Sequence, residues 1–125
     1  VTPQDPTFRW IGDACVVGCV VGLADDLDIA VAGPVEAVIV ERLEAGVPLV
    51  VDLTEVSFLD SAGVRLLDRL VGRQNRAGAA VRIVAPDGGS PRFTLDLSGF
   101  PADLLAGSVD DAVAGIGSPH GTATG

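Results

Sequence analysis

Apolar positions along this chain alternate between strand-like runs and helical stripes. Residues 8–11 and 15–23 are two β-prone runs separated by Gly12-Asp13-Ala14, a turn composition, so an antiparallel hairpin is expected. After the acidic stretch Asp25-Asp26-Leu27-Asp28, Val35, Val38, Ile39 and Leu43 fall at i, i+3, i+4 and i+8, a one-sided helical stripe. Proline suits a first helical turn, where its missing N–H costs nothing. The first helix is therefore expected to open at Gly33-Pro34 and to end at Gly46. Residues 48–53 form a short apolar run without alternation, the pattern of a strand buried on both faces, which belongs at the centre of a sheet.

A second helix is expected over 61–76, with Val64, Leu67, Leu70 and Val71 on its buried side and Ala77-Gly78 as its stop. A strand over 79–85 follows, closed by the turn Pro86-Asp87-Gly88-Gly89, then a short helix over 91–97 ending at Ser98-Gly99. Leu104-Leu105 reads as a final edge strand and residues 109–114 as a last helical turn or two. Strands that alternate with helices imply parallel, right-handed crossovers, to which the initial hairpin adds antiparallel pairing. The expected fold is a single α/β domain over residues 8–115, with a mixed sheet of about four to five strands and three to four helices. Residues 1–7 read as a flexible lead-in and residues 116–125 as a disordered tail, because neither carries apolar periodicity.

Composition narrows the function. A chain of 125 residues has room for one core, and with 48% apolar but only 4% aromatic residues that core is built from Val, Leu, Ile and Ala. The longest apolar run, residues 15–24, is broken by Gly18 and Gly22 and falls short of the ~18 residues that suggest a membrane span, so no membrane insertion and a cytoplasmic location are expected. The chain opens at Val1 and holds no Met, which suggests trimming or processing, and it carries no visible signal peptide or lipidation motif.

Eight basic residues stand against 17 acidic ones, a net charge of -9 and the opposite of what a phosphate-backbone binder needs, so direct nucleic-acid binding is not expected. All eight are Arg, which excludes a lysine-dependent phosphate loop. Cys15 and Cys19 are two ligands short of a structural zinc site, and the only histidine, His120, lies in the Gly/Ser/Thr tail; no metal and no cofactor are expected. Four positions along one strand span ~13 Å, too far for a disulfide, so both cysteines read as small core residues on one face.

The chemistry concentrates where the central strand gives way to the second helix. Ser61 would open that helix, and its N–H with those of Ala62 and Gly63 would be among the unsatisfied donors of a first turn, where an anion such as a phosphate on Ser61 is accommodated. The plainer possibility is that Asp60-Ser61 is an ordinary capping pair, since both residue types favour helix starts. A nucleophilic serine is disfavoured. The elbow motif needs Gly two positions before it, where Leu59 stands, and His120 is poorly placed as a base. Arg65, Arg69 and Arg73 recur at i, i+4 and i+8 on the same helix, either as a solvated face or as a docking face beside Ser61. Thr54, Ser57 and Ser90 are secondary candidates for a phosphate but read more simply as strand-end and turn hydroxyls, and Asp87-Gly88-Gly89-Ser90 reads as a turn rather than a ligand loop.

The fifteen residues from Val50 to Val64, Val-Val-Asp-Leu-Thr-Glu-Val-Ser-Phe-Leu-Asp-Ser-Ala-Gly-Val, resemble the signature of STAS domains, a hydrophobic strand ending Asp-Leu followed by Asp-Ser-x-Gly and a helix. Asp26-Leu27-Asp28 and Leu97-Ser98-Gly99-Phe100 are similar to flanking family features, with Asp25 and Asp26 where Gly and Glu are usual. The resemblance spans about residues 8–115 and implies a mixed sheet with helices on one side. Its anti-sigma factor antagonist type implies a non-enzymatic switch. In that type the unphosphorylated protein binds an anti-sigma factor, a serine kinase of the histidine-kinase-like ATPase class, and so releases a sigma factor. Phosphorylation of the motif serine, here Ser61, ends binding, and a serine phosphatase resets it.

The resemblance places Asp28 and Asp60 near that serine; taken with the arginine stripe read as a docking face, the expected partner-binding surface is Asp28, Asp60, Ser61, Ala62, Gly63, Arg65 and Arg69. Ala62 stands where the family often has a second serine, leaving one hydroxyl in the motif. Monomers or weak dimers are expected. The alternative within the same family is an accessory subunit of a lipid-transport ABC ATPase complex, in which the serine helix docks to an ATPase.

Overall fold

The structure, a computed structural model, describes residues 7–12, 17–24, 29–43 and 46–117. The chain order is β1 (Thr7–Gly12), β2 (Val17–Ala24), α1 (Ile29–Arg42), β3 (Leu49–Glu55), α2 (Ser61–Arg76), β4 (Val81–Val84), α3 (Ser90–Leu97), a 3-10 turn (Ala102–Leu104), β5 (Leu105–Ala106) and α4 (Val109–Gly117). The strands form one five-stranded sheet in the order β1-β2-β3-β4-β5. Hairpin strands β1 and β2 are antiparallel, with Trp10 opposite Cys19, and the other pairings are parallel, with Val20 opposite Val50 and Val51 opposite Ile83. This is the mixed sheet the pattern predicts, with β3 at its centre and two-residue β5 at its edge.

Alternation along β3 and β4 sends side chains to two faces. Leu49, Val51 and Leu53 join Val81, Ile83 and Ala85 in the main core, packed against Ala32, Val35 and Ile39 of α1, Leu43 just after it, Leu66, Leu67 and Leu70 of α2, and Leu95 of α3. Val50 and Val84 face the other way, onto Ala112 of α4, with Val109, Val113 and Ile116 beside it. Helices therefore cover both faces, not the one side implied by the resemblance. Continuous apolar β3 requires this, because Val50 would otherwise lie bare.

Several element boundaries also differ from expectation. Thr7, assigned above to the lead-in, belongs to β1, α1 ends at Arg42 and not at Gly46, and the edge strand is Leu105–Ala106, one residue later than expected. Two further differences have a packing reason. α1 starts at Ile29 and runs through Pro34, which sits inside the helix rather than at its opening. The added turn buries Ala32, extending the stripe of Val35, Ile39 and Leu43, and exposed Pro34 lies on the opposite side. At the other end, α4 continues to Gly117, so residues 116 and 117, assigned above to a disordered tail, are helical. Partly buried Ile116 explains the extension, because it completes the seam of α4 against the sheet. No helix among the described residues is long and apolar enough to cross a membrane.

Leu67 is fully buried between α2 and the sheet, whereas Leu97 of α3 is 73% exposed. Leu67→Ala should cost about 2 to 5 kcal/mol of unfolding free energy, and Leu97→Ala should stay within about 0.5 kcal/mol of the parent. Urea denaturation of the two variants checks both, and equal effects would overturn the assigned packing.

Candidate functional site

Three chain segments meet the carboxyl edge of the sheet, where the strands of the parallel half end and the chain turns toward a helix. β2 ends at Ala24, paired with Glu55 at the end of β3, and β4 ends at Val84 beside Asp52. Asp52 closes β3 locally, its Oδ1 accepting from the Thr54 N–H at 3.0 Å and from the Thr54 hydroxyl. That contact gives the Thr54 hydroxyl a structural partner of the strand-end kind. The segment that follows buries Val56 and Leu59 and leaves Ser57 and Phe58 exposed, so Leu59 pins the loop to the core just before the motif.

Asp60 is the N-cap of α2. Its extended backbone (φ -101°, ψ -172°) brings Oδ1 over the first turn, where it accepts from the Ala62 N–H at 2.9 Å and the Gly63 N–H at 3.1 Å. Its carbonyl accepts the first helical bond, from the Val64 N–H at 3.0 Å. The expectation that Ala62 and Gly63 keep free donors for an anion is thus corrected: the Asp60 carboxylate already takes both, and its charge suits the positive end of the helix dipole. Ser61, the first helical residue, is exposed, while Ala62 and Gly63 are buried against the core. The capping role and an accessible Ser61 hydroxyl coexist because they belong to adjacent residues.

α2 itself is firmly anchored. At its far end Ala79 N–H donates to Gln74 O at 2.8 Å and Gly78 N–H to Asn75 O at 3.1 Å, with Gly78 at φ +70°, a Schellman closure that favours glycine. Gln74, fully buried, donates through Nε2 to the carbonyls of Val47 at 2.8 Å and Ala80 at 3.1 Å, tying the helix to the entrances of β3 and β4.

The arginine stripe divides. Arg69 Nε donates to both Glu36 carboxylate oxygens, at 2.8 and 3.0 Å, and Nη2 lies 2.7 Å from Oε1. The hydrogen bond it donates to the Glu36 carboxylate raises the pKa of the Arg69 guanidinium above its ordinary value. Arg73 Nη2 donates to Leu43 O at 3.1 Å. Both side chains thus join α2 to α1 or to the residue that follows it, a role the sequence spacing did not reveal. Arg65 is exposed, and its side chain forms no ion pair or hydrogen bond among the described residues.

Asp28, Asp25, Asp26 and Cys15 lie outside the described residues, as do the side chain of Cys19 and the whole of His120. Asp60, Ser61, Ala62, Gly63 and Arg65 are brought together at the start of α2, with Arg69 one turn further on. Among the described residues no cluster of His, Cys, Asp or Glu has the makings of a metal site. Asp87-Gly88-Gly89-Ser90 is a turn, closed by Gly89 N–H to Pro86 O at 3.2 Å with Gly88 at φ +82°. Phe58, 48% exposed three residues before Ser61, is a feature of this surface that spacing alone did not mark as exposed.

Replacing Asp60 with Ala should cost about 0.5 to 2 kcal/mol by removing the cap, whereas Asp60→Asn should retain most of the stability because Asn caps nearly as well. Chemical denaturation distinguishes the two; an Ala variant as stable as the parent would rule out the capping geometry.

A family model described as the STAS domain matches residues 11–112. The crystal structure of an anti-sigma factor antagonist from Mycobacterium paratuberculosis is 26% identical over 92% of this chain and 97% of that one, with a TM-score of 0.74. The anti-sigma factor antagonist SpoIIAA in its unphosphorylated form is 17% identical over 86% and 94% of the two chains, with a TM-score of 0.64. The Bacillus cell fate determinant SpoIIAA in its phosphorylated form is 18% identical over 86% and 96%, with a TM-score of 0.62. At those identities the likeness to SpoIIAA is one of fold. No curated protein sequence gives a significant match.

Proposed function

The chain belongs to the STAS domain family, and on that premise we propose that it is an anti-sigma factor antagonist, a protein-binding switch set by a phosphate on Ser61. The observation that carries this reading is the exposed Ser61 hydroxyl on the first residue of α2, directly after the capping Asp60. Likeness over nearly the full length of an antagonist from Mycobacterium paratuberculosis supports it.

In this reading the unphosphorylated chain docks on an anti-sigma factor through the carboxyl edge of the sheet. Exposed Phe58 supplies apolar contact, and Ser61 and Arg65 supply polar contact, with Asp28 contributing as the family resemblance implies. The anti-sigma factor is a serine kinase that transfers the γ-phosphoryl group of ATP to Ser61 Oγ, while the hydroxyl proton leaves and ADP departs. The new group adds about 1.5 to 2 negative charges. It stands next to the Asp60 carboxylate on a chain of net charge -9, so docking a surface matched to the uncharged serine becomes repulsive. α2 need not unfold for this, because its cap and its buried contacts do not use the Ser61 side chain. A phosphatase returns the chain to its binding state. The chain is a substrate of these enzymes and supplies no catalytic group of its own.

Ser61→Asp should weaken binding to the cognate anti-sigma factor by at least about tenfold, roughly 1.4 kcal/mol, while Ser61→Ala should bind like the parent and resist ATP-dependent release. Titration calorimetry with the purified anti-sigma factor measures both. Tight binding by Ser61→Asp, or recovery of an ABC-type ATPase in place of a kinase as the cellular partner, would overturn the proposal.

A further inference from the structure

We propose that a phosphate on Ser61 is held by Arg65, so that one modification both adds a dianion and withdraws an exposed cation from the docking face. The inference rests on Ser61 as the phosphosite and concerns what this chain does with the phosphate.

The donors at the helix start do not provide the grip. The N–H groups of Ala62 and Gly63 are bonded to Asp60 Oδ1 at 2.9 and 3.1 Å, and a phosphate could reach them only by displacing a carboxylate that caps the helix. Of the other cations of α2, Arg69 is bonded to Glu36 and Arg73 to the Leu43 carbonyl, while Arg76 lies in the last turn, about four turns from Ser61. Arg65 is exposed, forms no ion pair among the described residues and stands one turn from Ser61.

Its position is the favourable one. Ser61 and Arg65 are i and i+4 on a continuous helix, a spacing that brings Cβ atoms to about 5–6 Å. Helical side chains lean toward the N-terminus, so an arginine at this position is long enough to reach back over the turn that carries Ser61. An acid N-terminal to a base at this spacing is the stronger orientation, and a guanidinium can meet two phosphate oxygens at once. The other charges near Arg65 do not compete well. Asp68 follows it at i+3 with the order of charges reversed and forms no ion pair with it, Glu36 of α1 is taken by Arg69, and Asp60 faces the backbone of the first turn.

The pair explains how a small surface change could be felt strongly by a partner. Before modification the face presents the Arg65 guanidinium and a neutral hydroxyl. Afterwards it presents a phosphate with Arg65 folded against it, leaving the net charge more negative and the cation unavailable for an acidic group on the partner.

The test needs neither kinase nor partner. Phosphoserine is incorporated at position 61 during synthesis of the full chain, and its second ionisation is followed by phosphorus NMR as pH is varied. A guanidinium beside the phosphate favours the dianion, so the second pKa in the parent background should lie about half a unit below that of the Arg65→Gln chain. Arg65→Lys should recover part of the difference, and Arg76→Gln, in the last turn of the helix, should leave the parent value unchanged. Identical phosphate pKa values in the parent and Arg65→Gln chains would overturn the clamp while leaving phosphorylation of Ser61 by a kinase untouched. An equal shift from Arg76→Gln would overturn it too, by showing a general charge effect.

Discussion

Two hydrogen bonds from the backbone of Ala62 and Gly63 to the Asp60 carboxylate fix where α2 begins, and the geometry of the site follows from that point. With the cap in place, Ser61 is the first helical residue and faces solvent, Ala62 and Gly63 turn inward, and Arg65 stands one turn behind Ser61. A start shifted by one residue would rotate all of these by about 100° around the helix axis. The buried Leu59 immediately before the cap holds the approaching chain, so the cap is fixed from both sides.

A switch that operates by surface charge requires a body that does not yield when the charge changes. α2 meets that requirement through contacts remote from Ser61: the Leu66, Leu67 and Leu70 seam in the core, the buried Gln74 bridging to Val47 and Ala80, and the Arg69 and Arg73 ties to α1 and the residue that follows it. Each lies one turn or more from Ser61. A phosphate would therefore act on what approaches the surface more than on the fold beneath it.

Much of this was legible because the relevant signals are local. Both ends of α2 are encoded by short-range chemistry, an Asp cap before and a glycine able to take positive φ after, and both ends fall where the pattern predicts. The central place of β3 followed from its unbroken apolar run. The misjudged features depend on tertiary contacts. Pro34 lies inside α1 because an extra turn buries Ala32, and α4 outlasts its glycine-rich composition because Ile116 packs on the sheet. The pairing of Arg69 with Glu36, 33 residues away, left no trace in the spacing of the arginines, which read as one stripe although their roles differ. The Asp60 cap was legible as an alternative to an anion site, and the geometry makes it the occupant of the donors that an anion would have used.

The central claim is that one hydroxyl at the start of α2 carries the switch. Incubation of the full chain with its purified anti-sigma factor kinase and ATP, followed by peptide mass mapping, tests this most directly. The expected result is a single phosphate located on Ser61. Phosphate on Thr54, Ser57 or Ser90 instead, or a chain left unmodified by a kinase that is active and binds it, would contradict the claim.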